Sequence, residues 1–291
     1  VGAHFAAILP RDIYWRIFCI FACLALSFFA RLRVEHVYAV LCIGLCAALA
    51  VQAWKLYRLI RDLPEPACQS EQPIHNDRAL WVGSVSGIFL AHADNLIVGL
   101  LFGPASVGGY FVLNRLAQLL GFIAVGEHQS IAPTIARAYR DDGACAVECL
   151  SQDASQRMTK LTFAGWALLL IFTHPLLSFL AIDLPGAFWI IFWLGAAAFA
   201  NAVLGPGDII LNMTGHERAA SRVAVMAIAL AVVFVGAGGA IAGLVGVAGG
   251  VFAATVFRKI MFFRACAQKM GIFPARMPKV MPHIFSGKVR P

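Results

Sequence analysis

Long apolar runs separated by short polar breaks set the organisation of this chain. Runs of about 18 to 24 residues with few or no charges occupy 13–30, 37–54, 80–102, 105–125, 161–182, 187–204, 219–238 and 240–263. About 20 apolar helical residues at 1.5 Å each cross a hydrocarbon core ~30 Å thick. The pattern therefore predicts an all-α integral membrane protein of about eight transmembrane helices. The first two runs, at about 18 residues, sit at the short end of what spans.

The polar breaks alternate in length. Short turns on one side are Arg31-Leu32-Arg33, Gly103-Pro104-Ala105-Ser106, 183–186 and the glycine cluster 236–239. Longer connectors occupy the other side. Residues 55–78 carry Pro64, Pro66 and Pro73 among polar residues and read as a linker. Residues 131–160 predict either an interfacial helix or a plain loop. The domain reading is a helix pair (1–60), a linker (61–79), a six-helix unit (80–263) and a basic tail (264–291). Gly205-Pro206-Gly207 interrupts the apolar pattern of 187–213, so the helix there either breaks or ends at Leu204.

Composition agrees with the pattern: 60% hydrophobic and 13% charged residues exclude an ordinary soluble domain. A formal net charge of +8 raises nucleic acid as a partner, and the distribution of that charge excludes it. Of 23 Lys and Arg, all but Arg31, Arg33 and Arg115 fall on the side of the long connectors and both termini. That asymmetry predicts a cytoplasmic C-terminus and connectors, with anionic lipid headgroups as their partners. The tail from Arg258 holds eight Lys and Arg without an acidic residue, and is expected on those headgroups.

The eight cysteines form no CxxC. Cys19/Cys23 and Cys42/Cys46, each four apart inside a run, predict small-residue helix packing rather than zinc or disulfides. Gly83/Gly87, Gly99/Gly103, Gly239/Gly243 and Gly246/Gly250 have the same packing logic. No HExxH, P-loop or nucleophile-turn motif is present, so neither an enzyme nor a cofactor is expected. Residues 1–10 lack a signal-peptide pattern and begin with Val, which reads as a cropped or alternatively started sequence.

One predicted hairpin carries both signs of charge. Asp94 precedes the Gly103 turn by nine residues and Arg115 follows Pro104 by eleven, which places both ~13–17 Å below it. A charge at that depth costs about 2.5–3.5 kcal/mol on insertion scales and therefore faces a partner or a watery cavity. Two readings stand. Either Asp94 and Arg115 form a salt bridge that fixes packing, or Arg115 faces a cavity and takes a phosphate-bearing substrate while Asp94 competes for it. Asn95, Asn114 and Gln118 add hydrogen-bonding groups. His92 is two residues from Asp94 and is not expected on the same helix face. Glu127, His128 and Gln129, with Asn201, Asp208 and Asn212, read either as solvated helix ends or as a gate.

The stretch Asp94-Asn95-Leu96-Ile97-Val98-Gly99-Leu100-Leu101-Phe102-Gly103, then Val107-Gly108-Gly109-Tyr110-Phe111, resembles polysaccharide flippases of the O-antigen exporter type. These belong to the multidrug/oligosaccharidyl-lipid/polysaccharide exporter superfamily. Ile131-Ala132-Pro133-Thr134-Ile135-Ala136 and Asn212-Met213-Thr214-Gly215-His216 extend the resemblance over most of 80–271. It implies a transporter of two six-helix lobes around a central cavity. Residues 80–263 would supply the C-terminal lobe and 1–60 the last two helices of the N-terminal lobe. About four preceding helices would be absent.

The implied activity is translocation of lipid-linked oligosaccharide across the bacterial inner membrane by alternating access. Polysaccharide polymerase and glycosyltransferases are possible partners on that reading. Arg115, Asp94, Asn95, Asn114 and Gln118 would meet the substrate. Two other outcomes stay open: a cation-coupled small-molecule exporter using Asp94, and a truncated fragment that transports nothing.

Overall fold

The computed structural model describes residues 15–29, 34–61, 77–180, 182 and 184–275. The Arg31–Arg33 turn, the proline-bearing linker and the tail beyond 275 lie outside them. Every regular element among the described residues is an α-helix. The chain divides into two compact units, Val1–Gln72 and Pro73–Pro291.

In the first unit α1 (Trp15–Phe29) packs on α2 (Val34–Arg61). The contact is made by small residues: Cys19 is buried, and a methyl group added to Gly44 would lie 2.9 Å from its sulfur. Cys42 and Cys46 are exposed, so that pair does not pack as its spacing suggests, whereas Cys19 does. The described part of α1 has 15 residues, short of a full span.

The second unit holds α3 (Asp77–Asp141), α4 (Ala144–Phe179), α5 (Ala187–Val203), α6 (Gly207–Met213) and α7 (Glu217–Met270). Neither α3 nor α7 is a single rod. In α3, Gly103 adopts φ 79° and ψ 171°, a conformation closed to side chains that carry a Cβ. The chain reverses there. Asp94 and Asn114, 20 residues apart, would be ~30 Å apart along a straight helix, yet their side chains hydrogen-bond at 2.7 Å.

In α7 the reversal falls at Ala242 and Gly243, not in the cluster 236–239 expected from sequence. Gly238 and Gly239 stay helical because they serve packing instead. A Cβ on Gly246 would collide with the Gly238 carbonyl, and one on Gly250 with the Phe234 carbonyl, so the two arms meet backbone to backbone. Gly83 and Gly87 meet nothing at that range and do not pack as their spacing suggests.

Residues 131–160, left open between interfacial helix and loop, are helical except for a break at Asp142-Gly143. Hydropathy marked only the membrane-depth part of α4. Its polar first half is held by a buried stripe, Val147, Ser151, Ala154, Ser155 and Met158, spaced three and four apart.

Among the described residues four helices are long and apolar enough to cross a membrane, or five if α5 and α6 form one span bent by 44°. Two of the four, α3 and α7, are hairpins. Apolar side chains on the hairpins face outward, with Leu100 86% and Ile241 85% exposed. A small apolar cluster of Ala124, Met158 and Ala202 and two large ones organise the interior among the described residues. One gathers Val98, Tyr110, Leu113, Ile190, Ile191 and Val247; the other gathers Ile135, Val147, Ile210, Leu211, Phe262 and Cys266.

Candidate functional site

A cavity of about 530 Å³ lies within the second unit, walled by both arms of α3 together with α5, α6 and α7. Along the second arm of α3 its wall runs from Asn114 to His128, 14 residues or ~21 Å of helix. Most of the wall is apolar or small: Leu90, Ala117, Ala124, Leu194, Val235 and Val251. Polar groups gather at its two ends, as ligand sites with few convergent polar groups do.

At the first end Asp94 is buried, 6% exposed, and its carboxylate is fully engaged. Oδ2 accepts from the Tyr110 hydroxyl at 3.2 Å and from Asn114 Nδ2 at 2.7 Å. Oδ1 accepts from the Asn95 backbone N–H at 2.8 Å and from Asn95 Nδ2 at 3.2 Å. Four donors fill the four lone-pair directions a carboxylate offers. The hairpin explains the geometry. Asp94 lies nine residues before Gly103, and Tyr110 and Asn114 flank the position nine after it. His92 borders the same cavity despite its two-residue offset.

The salt bridge between Asp94 and Arg115 does not form. Asp94 is satisfied by neutral donors on the inner face of the hairpin. Arg115 follows Asn114 by one residue, about 100° further round the helix, and is exposed. Its Nη1 donates to Gln118 Oε1 at 2.8 Å and its guanidinium lies 4.7 Å from the Phe111 ring centroid. Asp94, Asn114 and Gln118 border the cavity; Asn95 and Arg115 do not.

At the second end are His128, Asn201, Asp208, Thr255 and Arg258. Asp208 and Arg258 also border a smaller adjoining cavity of about 230 Å³, with Ser84, Ser86 and Asn212. Of the residues read as a gate, His128, Asn201 and Asp208 reach the main cavity and Asn212 the smaller one. Glu127 instead pairs with Arg157 at 2.5 Å. Gln129 is exposed and lines neither cavity.

The break between α5 and α6 positions this end. Gly205 has φ 76°, and a Cβ there would lie 2.6 Å from the Pro274 carbonyl oxygen. Pro206 supplies no N–H, so the helix stops and its last carbonyls need other donors. Ser155 Oγ donates to the Ala202 and Val203 carbonyls at 3.0 and 3.1 Å, and Lys259 Nζ donates to the Gly205 carbonyl at 3.1 Å. Lys259 Nζ also lies 3.4 Å from Asp208 Oδ1.

Lys259 is 2% exposed. The expectation that the basic residues from Arg258 onward lie on lipid headgroups therefore fails at its start, because the second arm of α7 extends to Met270 and packs inside. The signal was present in the sequence: Arg258-Lys259 sits between Phe257 and Ile260, within an apolar run. Among the described residues no group of three or more His, Cys, Asp or Glu is placed to hold a metal ion.

Outward-facing apolar helical hairpins around a polar-ended cavity define a multi-pass membrane protein. No family model and no curated protein matches the chain. Among solved structures it matches the crystal structure of a proline-to-alanine mutant of MATE, with a TM-score of 0.62 and 15% sequence identity. The match covers 81% of this chain and 55% of that one, so the chain spans about half the length of the structure it matches. The fold is thus a MATE-like all-helical fold.

Proposed function

We propose that the protein is a membrane exporter whose cargo moves along this cavity by alternating access, and that the cargo is a lipid-linked oligosaccharide crossing the bacterial inner membrane. The observation that carries the exporter reading is a ~21 Å polar-ended cavity inside a MATE-like fold. The cargo follows from the flippase-like hairpin sequence from Asp94 to Phe111. Asp94 holds Asn114 and Tyr110 in place. Asn114 and Gln118 offer hydrogen bonds to a sugar, and Arg115 orients Gln118.

The test is lipid flipping in reconstituted vesicles, with a fluorescent lipid-linked oligosaccharide in the inner leaflet. The protein should accelerate its appearance outside, and Ala254→Phe, which fills the cavity from α7, should abolish the acceleration. Ala254 is a buried wall residue of small volume. No acceleration, or full activity with the cavity filled, would sink the reading. Efflux of a small organic cation in place of the glycolipid would move the cargo to the small-molecule class.

A further inference from the structure

Two side-chain nitrogens at the second end of the cavity have no hydrogen-bonding partner. Arg258 Nε and His128 Nε2 are both buried and meet no hydrogen-bonding partner, and both residues border the same cavity. Buried polar atoms are normally paired, and an unpaired one costs about 1–3 kcal/mol, so two on residues that border one cavity point to a ligand.

The charges agree. Asp208 is the carboxylate on this wall, and Lys259 already stands 3.4 Å from it. Lys259 also donates to the Gly205 carbonyl, which fixes it on the helix break. Arg258 interacts with the same carboxylate at longer range, and two cations against one Asp208 leave this end with one positive charge in excess. Asn201 and Thr255 complete the wall with neutral hydrogen-bonding groups.

We infer that His128 and Arg258 form an anion-binding subsite for a phosphate-class group. Arginine suits this because Nε and one Nη present two parallel N–H groups to a tetrahedral oxyanion. In the tautomer that carries its proton on Nε2 the imidazole supplies a third donor. Arg258 borders both cavities, so its fork stands where a charged headgroup would pass from one to the other. The inference deepens the exporter reading and rests on it for the source of the phosphate, while binding is measured independently.

The experiment places the full chain in nanodiscs of phosphatidylcholine and titrates inorganic diphosphate calorimetrically. A second arm uses nanodiscs doped with a polyprenyl diphosphate, with the matching polyprenyl alcohol as control. Arg258→Gln and His128→Gln should each weaken binding by about 10- to 100-fold, the worth of one charge-assisted hydrogen bond. Arg140→Gln, which removes an exposed cation elsewhere on α3, should not. Binding of the free ion assigns the site to soluble phosphate chemistry; binding of the doped lipid alone assigns it to a lipid headgroup.

Binding of neither probe, or undiminished binding in both variants, overturns the inference. Thermal unfolding accompanies each titration. If Arg258→Gln fails to fold, His128→Gln decides. Diphosphate binding without glycolipid flipping would keep the subsite and discard the exporter reading. Flipping without binding of either probe would do the reverse.

Discussion

The two ends of the cavity hold charge in opposite ways. Around Asp94 a single buried carboxylate meets four neutral donors and leaves no lone pair over. Around Asp208 two cations of α7 stand against one carboxylate, and Arg258 and His128 keep nitrogens with no hydrogen-bonding partner. A satisfied network rigidifies its surroundings, whereas an unsatisfied one stores cost that only a ligand relieves. The first end is therefore scaffold for the hairpin and the second is where binding energy is available.

Lys259→Met tests that contrast with the largest expected loss. The substitution keeps the aliphatic length, removes the donor to the Gly205 carbonyl and leaves Asp208 without its nearest cation. Breaking a fully buried pair costs about 3–5 kcal/mol. The Asp208 side chain is 37% exposed, so solvent recovers part of that and about 2–3 kcal/mol is expected. Unfolding midpoints in detergent, against urea or heat, would show it. An unchanged midpoint would mean that the helix break is held by Ser155 alone.

Asp94→Ala comes next. It strands the Tyr110 hydroxyl and Asn114 Nδ2, both on buried residues, at about 2 kcal/mol after relief of the carboxylate's own burial. Asp94→Asn keeps one acceptor oxygen and should cost about half as much. If both variants are as stable as the wild type, the first end is not scaffold. Loss of flipping with stability intact would then move the working group from Arg258 to Asp94.

Arg258→Met should run the other way. Replacing a half-buried cation whose Nε lacks a hydrogen-bonding partner by an apolar side chain of similar length removes a desolvation cost along with its attraction to Asp208, so stability should hold to within about 1 kcal/mol. Glycolipid flipping should fall below detection in the same variant. A marked drop in stability would show that Arg258 serves packing, and would erase the difference between the two ends.

Much of this architecture was legible because burial in lipid needs long apolar runs, and because Gly103 and Gly205-Pro206 announce a reversal and a break. Asp94 and Asn114 were legible as buried polar residues at one depth. What failed was direction. Arg115 and Asn114 are consecutive, and depth along the chain cannot say which of two neighbours faces inward. The pairing of Lys259 with Asp208 and Gly205 was hidden for a different reason: it joins residues about 50 apart through a helix break whose bend no run length encodes. The α7 turn was misplaced because glycines serve both turns and close packing, and here Gly238 and Gly246 serve packing while Gly243 makes the turn.

Arg115→Gln sharpens the comparison from outside it and carries the smallest expected effect. The guanidinium is exposed, donates to Gln118 three residues on and lies over the Phe111 ring, contacts typical of a single helix face. Exposed pairs of this kind are worth about 0.5 kcal/mol or less, so the unfolding midpoint should barely move. Gln118 does border the cavity, and losing its neighbour frees its side chain. Flipping should therefore slow by about twofold, the rate equivalent of that same energy. Diphosphate affinity should be untouched, because it belongs to the other end. Complete loss of flipping in this variant, with stability and diphosphate binding intact, would instead bring Arg115 to the cargo path itself. The hairpin would then have to rotate during transport and carry the charge from the outer face of α3 into the cavity.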